Sequence, residues 1–213
     1  MNYIWEHPAI VYEYFLEHLQ MTSLSVLIAV LIALPLGILI NKVRFLSVFV
    51  LGILGILYTI PSLALIILLV PIFGLNAQSV IIAMVIYTQV ILVRNISVGL
   101  NSIDAAILEA AKGMGMNAWQ SWWWVEFPLI LPVFLAGVRL ATIVAVAIAA
   151  IGAKFNAGGL GTLLFEGVQQ QNSGKIWAGA IAVAILAFSV YGILLYLERL
   201  SRPGRKMSPS TDR

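Results

Sequence analysis

Cysteine is absent from the 213 residues of this chain, and histidine occurs only at His7 and His18. The absence of cysteine excludes disulfides, thiolate metal sites and cysteine nucleophiles. Both histidines precede the first long apolar run, so we expect no histidine-based metal or acid–base centre within the membrane. Charged residues are also scarce, at 10% of the chain, against about 25% in a typical soluble domain. With 62% apolar side chains, the composition predicts a single membrane domain over residues 1–213.

Long apolar runs account for most of the sequence. A helix rises about 1.5 Å per residue and the hydrocarbon core is about 30 Å thick, so a span needs roughly 20 apolar residues. The third run reaches this length only if its helix starts near Ala77 and continues towards Gly99, and Pro61 interrupts the second run. The pattern predicts an all-α membrane protein with five transmembrane helices, at residues 21–40, 45–70, 79–93, 129–152 and 176–197.

The N-terminal segment differs from a cleavable signal peptide. Residues 1–20 contain no lysine or arginine, and they hold Glu6, Glu13 and Glu17. We predict an extracytoplasmic or interfacial helix there, which leads into a membrane domain over residues 21–198. A basic tail over residues 199–213 completes the chain.

The lysines and arginines predict the orientation, because these residues are enriched in cytoplasmic loops. If the N-terminus is outside, the outer side carries only Lys154 and Lys175, and Arg139 falls within the fourth span. The distribution predicts a cytoplasmic loop over residues 94–128 and a cytoplasmic C-terminus. The nine basic residues on the cytoplasmic side are Lys42, Arg44, Arg94, Lys112, Arg199, Arg202, Arg205, Lys206 and Arg213.

The cytoplasmic loop contains a short helix with definite ends. Asp104 is placed to cap free backbone N–H groups before the run AAILEAAKGMG, which is rich in strong helix formers. Gly113 and Gly115 then allow the chain to leave the helix. The following segment, NAWQSWWWVEFP, carries three tryptophans at helical spacing, which suit the membrane interface or packing against the spans. They are Trp119, Trp122 and Trp123.

The run EAAKGMGMNAWQSWWWVEFP resembles the EAA loop of ABC importer permeases. In that loop a glycine follows the glutamate by six positions, and an apolar residue, a spacer, an apolar residue and a proline come later. The positions that match are Glu109, Ala110, Ala111, Gly115, Val125, Phe127 and Pro128. The resemblance implies that this helix docks on a cytoplasmic ABC ATPase, with Glu109, Ala110, Ala111, Gly115 and Pro128 as the coupling residues.

Four further segments resemble the permeases of osmoprotectant importers, which carry glycine betaine, carnitine, choline and similar quaternary amines. They are TIPSLALIILLVPIFGLNAQ, YTQVILVRNISVGL, LPVFLAGVRLAT and GGLGTLLFEGV, at residues 59–78, 87–100, 131–142 and 158–168. The sequence departs from this subfamily at two places. The run IGAKFNAGGLG contains the extra residues Lys154-Phe155-Asn156, and Tyr191 stands at a position where we expect relatives often to carry an acid. The resemblance implies a fold like that of type I ABC importer permeases, in a bacterial or archaeal plasma membrane.

The same resemblance implies the partners. We expect cytoplasmic ATPase subunits, a second permease subunit that is identical or paralogous, and an extracellular or periplasmic substrate-binding protein, with no nucleic acid. The sequence has no GxxxxGK[ST] motif, so we expect no ATPase activity and no cofactor in this chain, and ATP is used by the partner.

Several polar positions within the spans have two interpretations. Residues near Pro61 form either a simple kink or a broken helix beside the transport path. The polar residues of the third span, from Tyr87 to Asn95, either anchor the helix at the membrane interface or line the transport path. Arg139 either extends its side chain to the cytoplasmic surface or contributes to gating. The candidate path residues are Thr59, Pro61, Ser62, Tyr87, Gln89, Arg94 and Asn95. The GGLG run at 158–161 predicts a bent outer loop.

Three other classes of protein compete with this interpretation. A secondary transporter is disfavoured because no carboxylate falls inside the five predicted spans and five spans offer no paired repeats. A membrane enzyme is disfavoured because the sequence shows no nucleophile, metal site or acid–base pair. The third alternative is a permease of the same architecture for another small solute, such as an amino acid. The sequence does not exclude it, because the EAA loop indicates coupling to an ATPase and carries no information about the transported solute.

Overall fold

The computed structural model describes residues 3–201, so the predicted basic tail lies outside the described residues from position 202 onwards. The described part is helical and contains no β-strand. Its α-helices are α1 (Tyr3–Glu6), α2 (Pro8–Lys42), α3 (Arg44–Thr59), α4 (Ser62–Phe73), α5 (Ala77–Asn101), α6 (Ala105–Gly113), α7 (Ala118–Ser121), α8 (Phe127–Gly152), α9 (Gly161–Gln169) and α10 (Ser173–Ser201).

Four helical stretches within residues 3–201 are long and apolar enough to cross a membrane. They are α2, α5, α10 and the stretch Ala118–Phe155, which contains α8. The first, third, fourth and fifth predicted spans are therefore confirmed, and α5 has the extended bounds that the third span required. Because α5 ends at Asn101, Arg94 and Asn95 lie inside this helix. Helix α5 continues past the predicted start of the loop at 94, and the connection to α6 begins at residue 102.

The second predicted span is broken at Pro61, which agrees with the broken-helix interpretation rather than with a simple kink. Its two parts, Phe45–Thr59 and Ser62–Phe73, are bent by 97° at a short break. Proline lacks an N–H group and disfavours the helical conformation in the residue before it. Ile60 accordingly has an extended backbone, with φ −66° and ψ 125°. The bent pair supplies a fifth crossing if both parts belong to one span.

The predicted interfacial helix over residues 1–20 is continuous with the first span from Pro8 onwards. Helix α2 has 35 residues, a length of about 52 Å that exceeds the hydrocarbon core by about 20 Å. His18 lies in this helix with no exposed surface, and its Nε2 is 3.2 Å from the carbonyl oxygen of Val146 on α8. His18 is thus packed inside the bundle, although it precedes the first long apolar run in the sequence.

Helix α5 is the centre of the bundle and packs against α2, α3, α4 and α8. Small residues allow its neighbours to approach closely, as is common between membrane helices. A Cβ atom added at Gly37 of α2 would lie 2.6 Å from the side chain of Ile96, and one added at Gly137 of α8 would lie 2.7 Å from that of Asn95. The glycines thus fix the spacing of α2 and α8 on either side of α5.

Arg139 has a protein partner on α10. Its Nη2 lies 3.0 Å from Oε2 of Glu198 on α10, and the two side chains are only 16% and 4% exposed. The guanidinium carbon also lies 4.8 Å from the ring centroid of Tyr191. Contact with protein therefore compensates the guanidinium charge of Arg139. Glu198 lies one residue beyond the predicted fifth span, in the part of α10 that continues to Ser201.

Candidate functional site

Helix α6 has the ends that its sequence predicts. The Asp104 side chain accepts a hydrogen bond from the backbone N–H of Ala106 at 3.0 Å, which caps the first turn. Gly113 is the last helical residue, and Gly115 has a φ of +77° and donates its backbone N–H to the carbonyl of Lys112 at 2.9 Å. This left-handed conformation favours glycine, so Gly115 reverses the chain after the helix.

Most of α6 is presented to the surroundings. Ala111 is its buried residue, with 2% exposure, whereas Glu109 and Ala110 are exposed. Apolar side chains are exposed beside them, because Ile107 is 42% and Met114 is 69% exposed. An exposed helix that combines one carboxylate, small side chains and large apolar groups is suited to docking against another protein.

A rigid aromatic connection joins the EAA segment, which we define as residues 105–128, to the span α8. A π-helical turn over Trp122–Glu126 follows α7 and leads directly into α8, and Pro128 is the second residue of α8. The ring of Trp123 lies 5.6 Å from that of Trp119 and 5.4 Å from that of Phe127. Such π turns are frequent at functional sites, and here the turn links the exposed helix to a membrane span.

The break between α3 and α4 brings together four of the candidate path residues. Thr59 ends α3 and donates its hydroxyl to the carbonyl of Ile56 at 2.7 Å, and Pro61 and Ser62 begin α4. Tyr87 of α5 lies against the same end of α3, where its ring is 5.5 Å from that of Tyr58. Thr59, Pro61, Ser62 and Tyr87 therefore form one site, which we call the break site.

The other three candidate path residues point to different neighbours. Gln89 is 6% exposed and donates its Nε2 hydrogen to the carbonyl of Ala29 on α2 at 3.0 Å. Asn95 donates to the carbonyl of Ile91 at 2.8 Å and packs against Gly137, whereas Arg94 is exposed. Gln89 and Asn95 thus join helices, and the structure does not bring these three residues to the break site.

A pocket of about 640 Å³ lies at the opposite end of the bundle, between α2, α9 and the 3₁₀ turn Ala153–Phe155. The predicted bend at GGLG is confirmed, because Gly158 and Gly159 have φ values of +76° and +78°. Glu17 of α2 accepts a hydrogen bond from the backbone N–H of Gly159 at 2.8 Å. Sequence reasoning missed this pocket, since no local pattern indicates that Glu17 reaches residues 142 positions away.

The segment Lys154-Phe155-Asn156 lies at the edge of that pocket, and Lys154 and Asn156 line it. Phe155 is 9% exposed and belongs to the core, and Asn156 adopts a left-handed conformation with φ +60°. Lys154 precedes them, and its Nζ lies 4.7 Å from the ring centroid of Phe165 on α9. This segment is thus a folded turn that places a cation on an aromatic ring.

The bundle of spans, the broken second span and the exposed helix between two spans define an integral membrane protein of the permease class. The chain belongs to the family described as the binding-protein-dependent transport system inner membrane component, whose model matches residues 22–203. The family predicted from the EAA loop is confirmed.

Curated relatives match over nearly the whole chain. The carnitine transport permease protein OpuCD of Listeria monocytogenes is 36% identical and covers 100% of this chain and 96% of its own length. The glycine betaine/carnitine/choline transport system permease protein OpuCD of Bacillus subtilis is 38% identical, with 96% and 90% covered. The choline transport system permease protein OpuBD of the same organism is 37% identical, with 97% and 92% covered. These relatives are permease subunits of transporters and not ATPases.

Solved structures confirm the fold. A chain of the MetNI methionine ABC transporter in an inward-facing conformation aligns with a TM-score of 0.79 at 21% identity, covering 95% of this chain and 99% of that one. A chain of an amino acid ABC transporter aligns with a TM-score of 0.71 at 19% identity, covering 92% and 94%. The all-helical fold of type I ABC importer permeases, predicted from the sequence, is the fold of this chain.

Proposed function

We propose that this chain is the transmembrane subunit of an ATP-driven importer for quaternary-amine osmoprotectants such as glycine betaine, choline or carnitine. The single observation that carries the proposal is the 36–38% identity, over nearly the full length, to permeases that are named for these solutes. The exposed EAA segment and the break site supply the coupling and pathway elements that such a subunit needs.

Helix α6 is the docking element for the cytoplasmic ATPase in this proposal. Glu109 offers a carboxylate to polar groups of the ATPase, and the exposed Ile107 and Met114 add apolar contact area. The π turn and the packed aromatic rings connect α6 to α8, so a movement of the ATPase is transmitted to a span as a rigid-body shift. The ATP is bound and hydrolysed by that partner.

The second permease subunit covers the break site. The break lies 16 residues from the start of α3, up to about 24 Å along the helix and therefore at membrane depth. Backbone groups freed at a helix break are tolerated there only against protein or a water-filled cavity. Thr59 and Pro61 are nevertheless exposed in the single chain. A second permease chain, identical or paralogous, would enclose the break and form the transport path between the two subunits.

The proposed orientation places the N-terminus outside and the EAA segment in the cytoplasm of a bacterial or archaeal cell. The charge distribution supports it, with Lys42, Arg94 and Lys112 on the cytoplasmic side and Lys154 and Lys175 outside. In this orientation the pocket between α2, α9 and the turn Ala153–Phe155, which we call the outer pocket, lies on the outer side of the membrane. It then faces an extracellular or periplasmic substrate-binding protein, which delivers the solute.

Uptake of labelled glycine betaine tests the proposal. Cells that lack their own osmolyte importers would express this chain with its ATPase and binding protein, and choline and carnitine would serve as competitors. We expect saturable uptake that trimethylammonium compounds inhibit. Uptake of an amino acid instead would leave the importer class intact and refute the osmoprotectant cargo.

A further inference from the structure

The outer pocket has a chemical character that the transport assignment leaves unexplained. Its polar and aromatic lining combines two carboxylates, one ammonium group and two aromatic rings, supplied by Glu17, Glu166, Lys154, Tyr14 and Phe165. A volume of about 640 Å³ exceeds what a small solute fills, so the pocket has room for an organic ion beside the lysine.

The position of Lys154 shows what kind of group the pocket accepts. Its Nζ lies over the face of Phe165, 4.7 Å from the ring centroid. No carboxylate lies within 4.0 Å of this ammonium group among residues 3–201. The lysine is also an exposed residue, and its ammonium group nevertheless rests on the ring. Attraction between a cation and an aromatic face accounts for this placement.

The two carboxylates of the pocket are held in place by other groups. Glu17 accepts the backbone N–H of Gly159 through one oxygen, and a Cβ atom at Gly158 would lie 2.5 Å from that same oxygen. Glu166 pairs with Lys175, whose Nζ also lies 5.8 Å from the ring centroid of Tyr3. A cation that replaced the Lys154 ammonium group would therefore meet the Phe165 ring, in a pocket whose lining also includes the carboxylate of Glu17.

We propose that the outer pocket binds a quaternary ammonium group on the face of Phe165, and that Lys154 is a tethered competitor for this position. A lysine ammonium group is strongly hydrated and sits on a flexible stem, so it leaves the ring at little cost. A trimethylammonium group is a well-known ligand of aromatic faces. The solute displaces the lysine side chain into water. Lys154 therefore raises the solute concentration that is needed to fill the pocket. The proposal rests on the cargo class proposed above.

Binding of tetramethylammonium to the assembled importer tests this competition. The complex of permease and ATPase in nanodiscs, without the binding protein, would be titrated with labelled tetramethylammonium. Lys154→Met keeps the length of the side chain and removes its charge, so we expect the Kd to fall by between about twofold and thirtyfold. Phe165→Leu removes the ring and is expected to weaken binding by a similar factor.

Matched variants separate competition from a structural role. Lys154→Arg keeps a cation that stacks well on aromatic rings, so its affinity should equal or fall below that of the unmodified complex. Lys42→Met removes an exposed lysine elsewhere on the chain and should leave the Kd unchanged. The melting temperature of each complex would confirm assembly, and Lys154→Gln replaces Lys154→Met if the latter does not assemble.

The outcomes are distinct for the pocket and for the cargo. Three results would overturn the pocket proposal. They are an unchanged Kd in Lys154→Met, the same shift of the Kd in Lys154→Met and in Lys154→Arg, and no binding of tetramethylammonium at any concentration tested. If the unmodified importer takes up no quaternary amine but the variants shift tetramethylammonium binding as expected, the osmoprotectant cargo is refuted and the cation pocket stands. If uptake occurs without any such shift, the pocket proposal alone is refuted.

Discussion

Removal of one member of the Arg139–Glu198 pair is expected to destabilise the protein strongly. The two side chains are 16% and 4% exposed, and their charged atoms are 3.0 Å apart between α8 and α10. Loss of one partner leaves a buried charge uncompensated, which costs about 3–5 kcal/mol, whereas replacement of both by apolar groups is often close to neutral. We therefore expect Glu198→Met to lower the free energy of unfolding by about 3–5 kcal/mol.

The double variant gives the decisive comparison. Arg139→Met combined with Glu198→Met should recover most of the stability that either single change removes, so the coupling energy in a double-mutant cycle should be large. Tyr191→Leu removes the ring beside the guanidinium group and should cost about 0.5–2 kcal/mol, whereas Tyr191→Phe keeps the contact. Unfolding by SDS in mixed micelles provides the free energies. Additive single effects, or a loss below about 1 kcal/mol for Glu198→Met, would refute the reasoning.

Three further predictions concern the EAA segment and the topology. Glu109→Lys should abolish uptake and ATPase binding while membrane insertion is retained, and undiminished uptake would count against docking through α6. Gly115→Ala forces an L side chain to a φ of +77° and should cost about 1–2 kcal/mol, whereas Gly113→Ala, with open space around its Cβ position, should not destabilise. Cysteines at Ser102 and Ser173, both exposed, should react with an impermeant maleimide from opposite sides of the membrane, and reaction from one side would contradict the topology.

Local sequence signals predict the parts of the fold that depend on neighbouring residues. The capping residue Asp104 and the turn residue Gly115 correctly predict where α6 begins and ends, because both act on the backbone within a few residues. Pro61 indicates a break for the same reason, although the 97° angle depends on how α3 and α4 pack against α5.

Contacts between distant segments are the part that sequence reasoning misses. Arg139 and Glu198 are 59 positions apart, and nothing near either residue identifies the other as its partner. The link from Glu17 to Gly159 and the contact of His18 with Val146 join α2 to the far end of the chain in the same way. Each of these depends on the arrangement of whole helices, so a single sequence predicts the helices but not these pairs.

Solute accumulation by the reconstituted importer tests the central claim most directly. Proteoliposomes would contain this chain, its partner permease and the ATPase, with the binding protein and labelled glycine betaine added on the side opposite the ATPase. We expect accumulation only with hydrolysable ATP on the ATPase side, and none with Glu109→Lys or with a non-hydrolysable analogue. Accumulation that proceeds without ATP or without the ATPase would contradict the account and identify the chain as a secondary transporter.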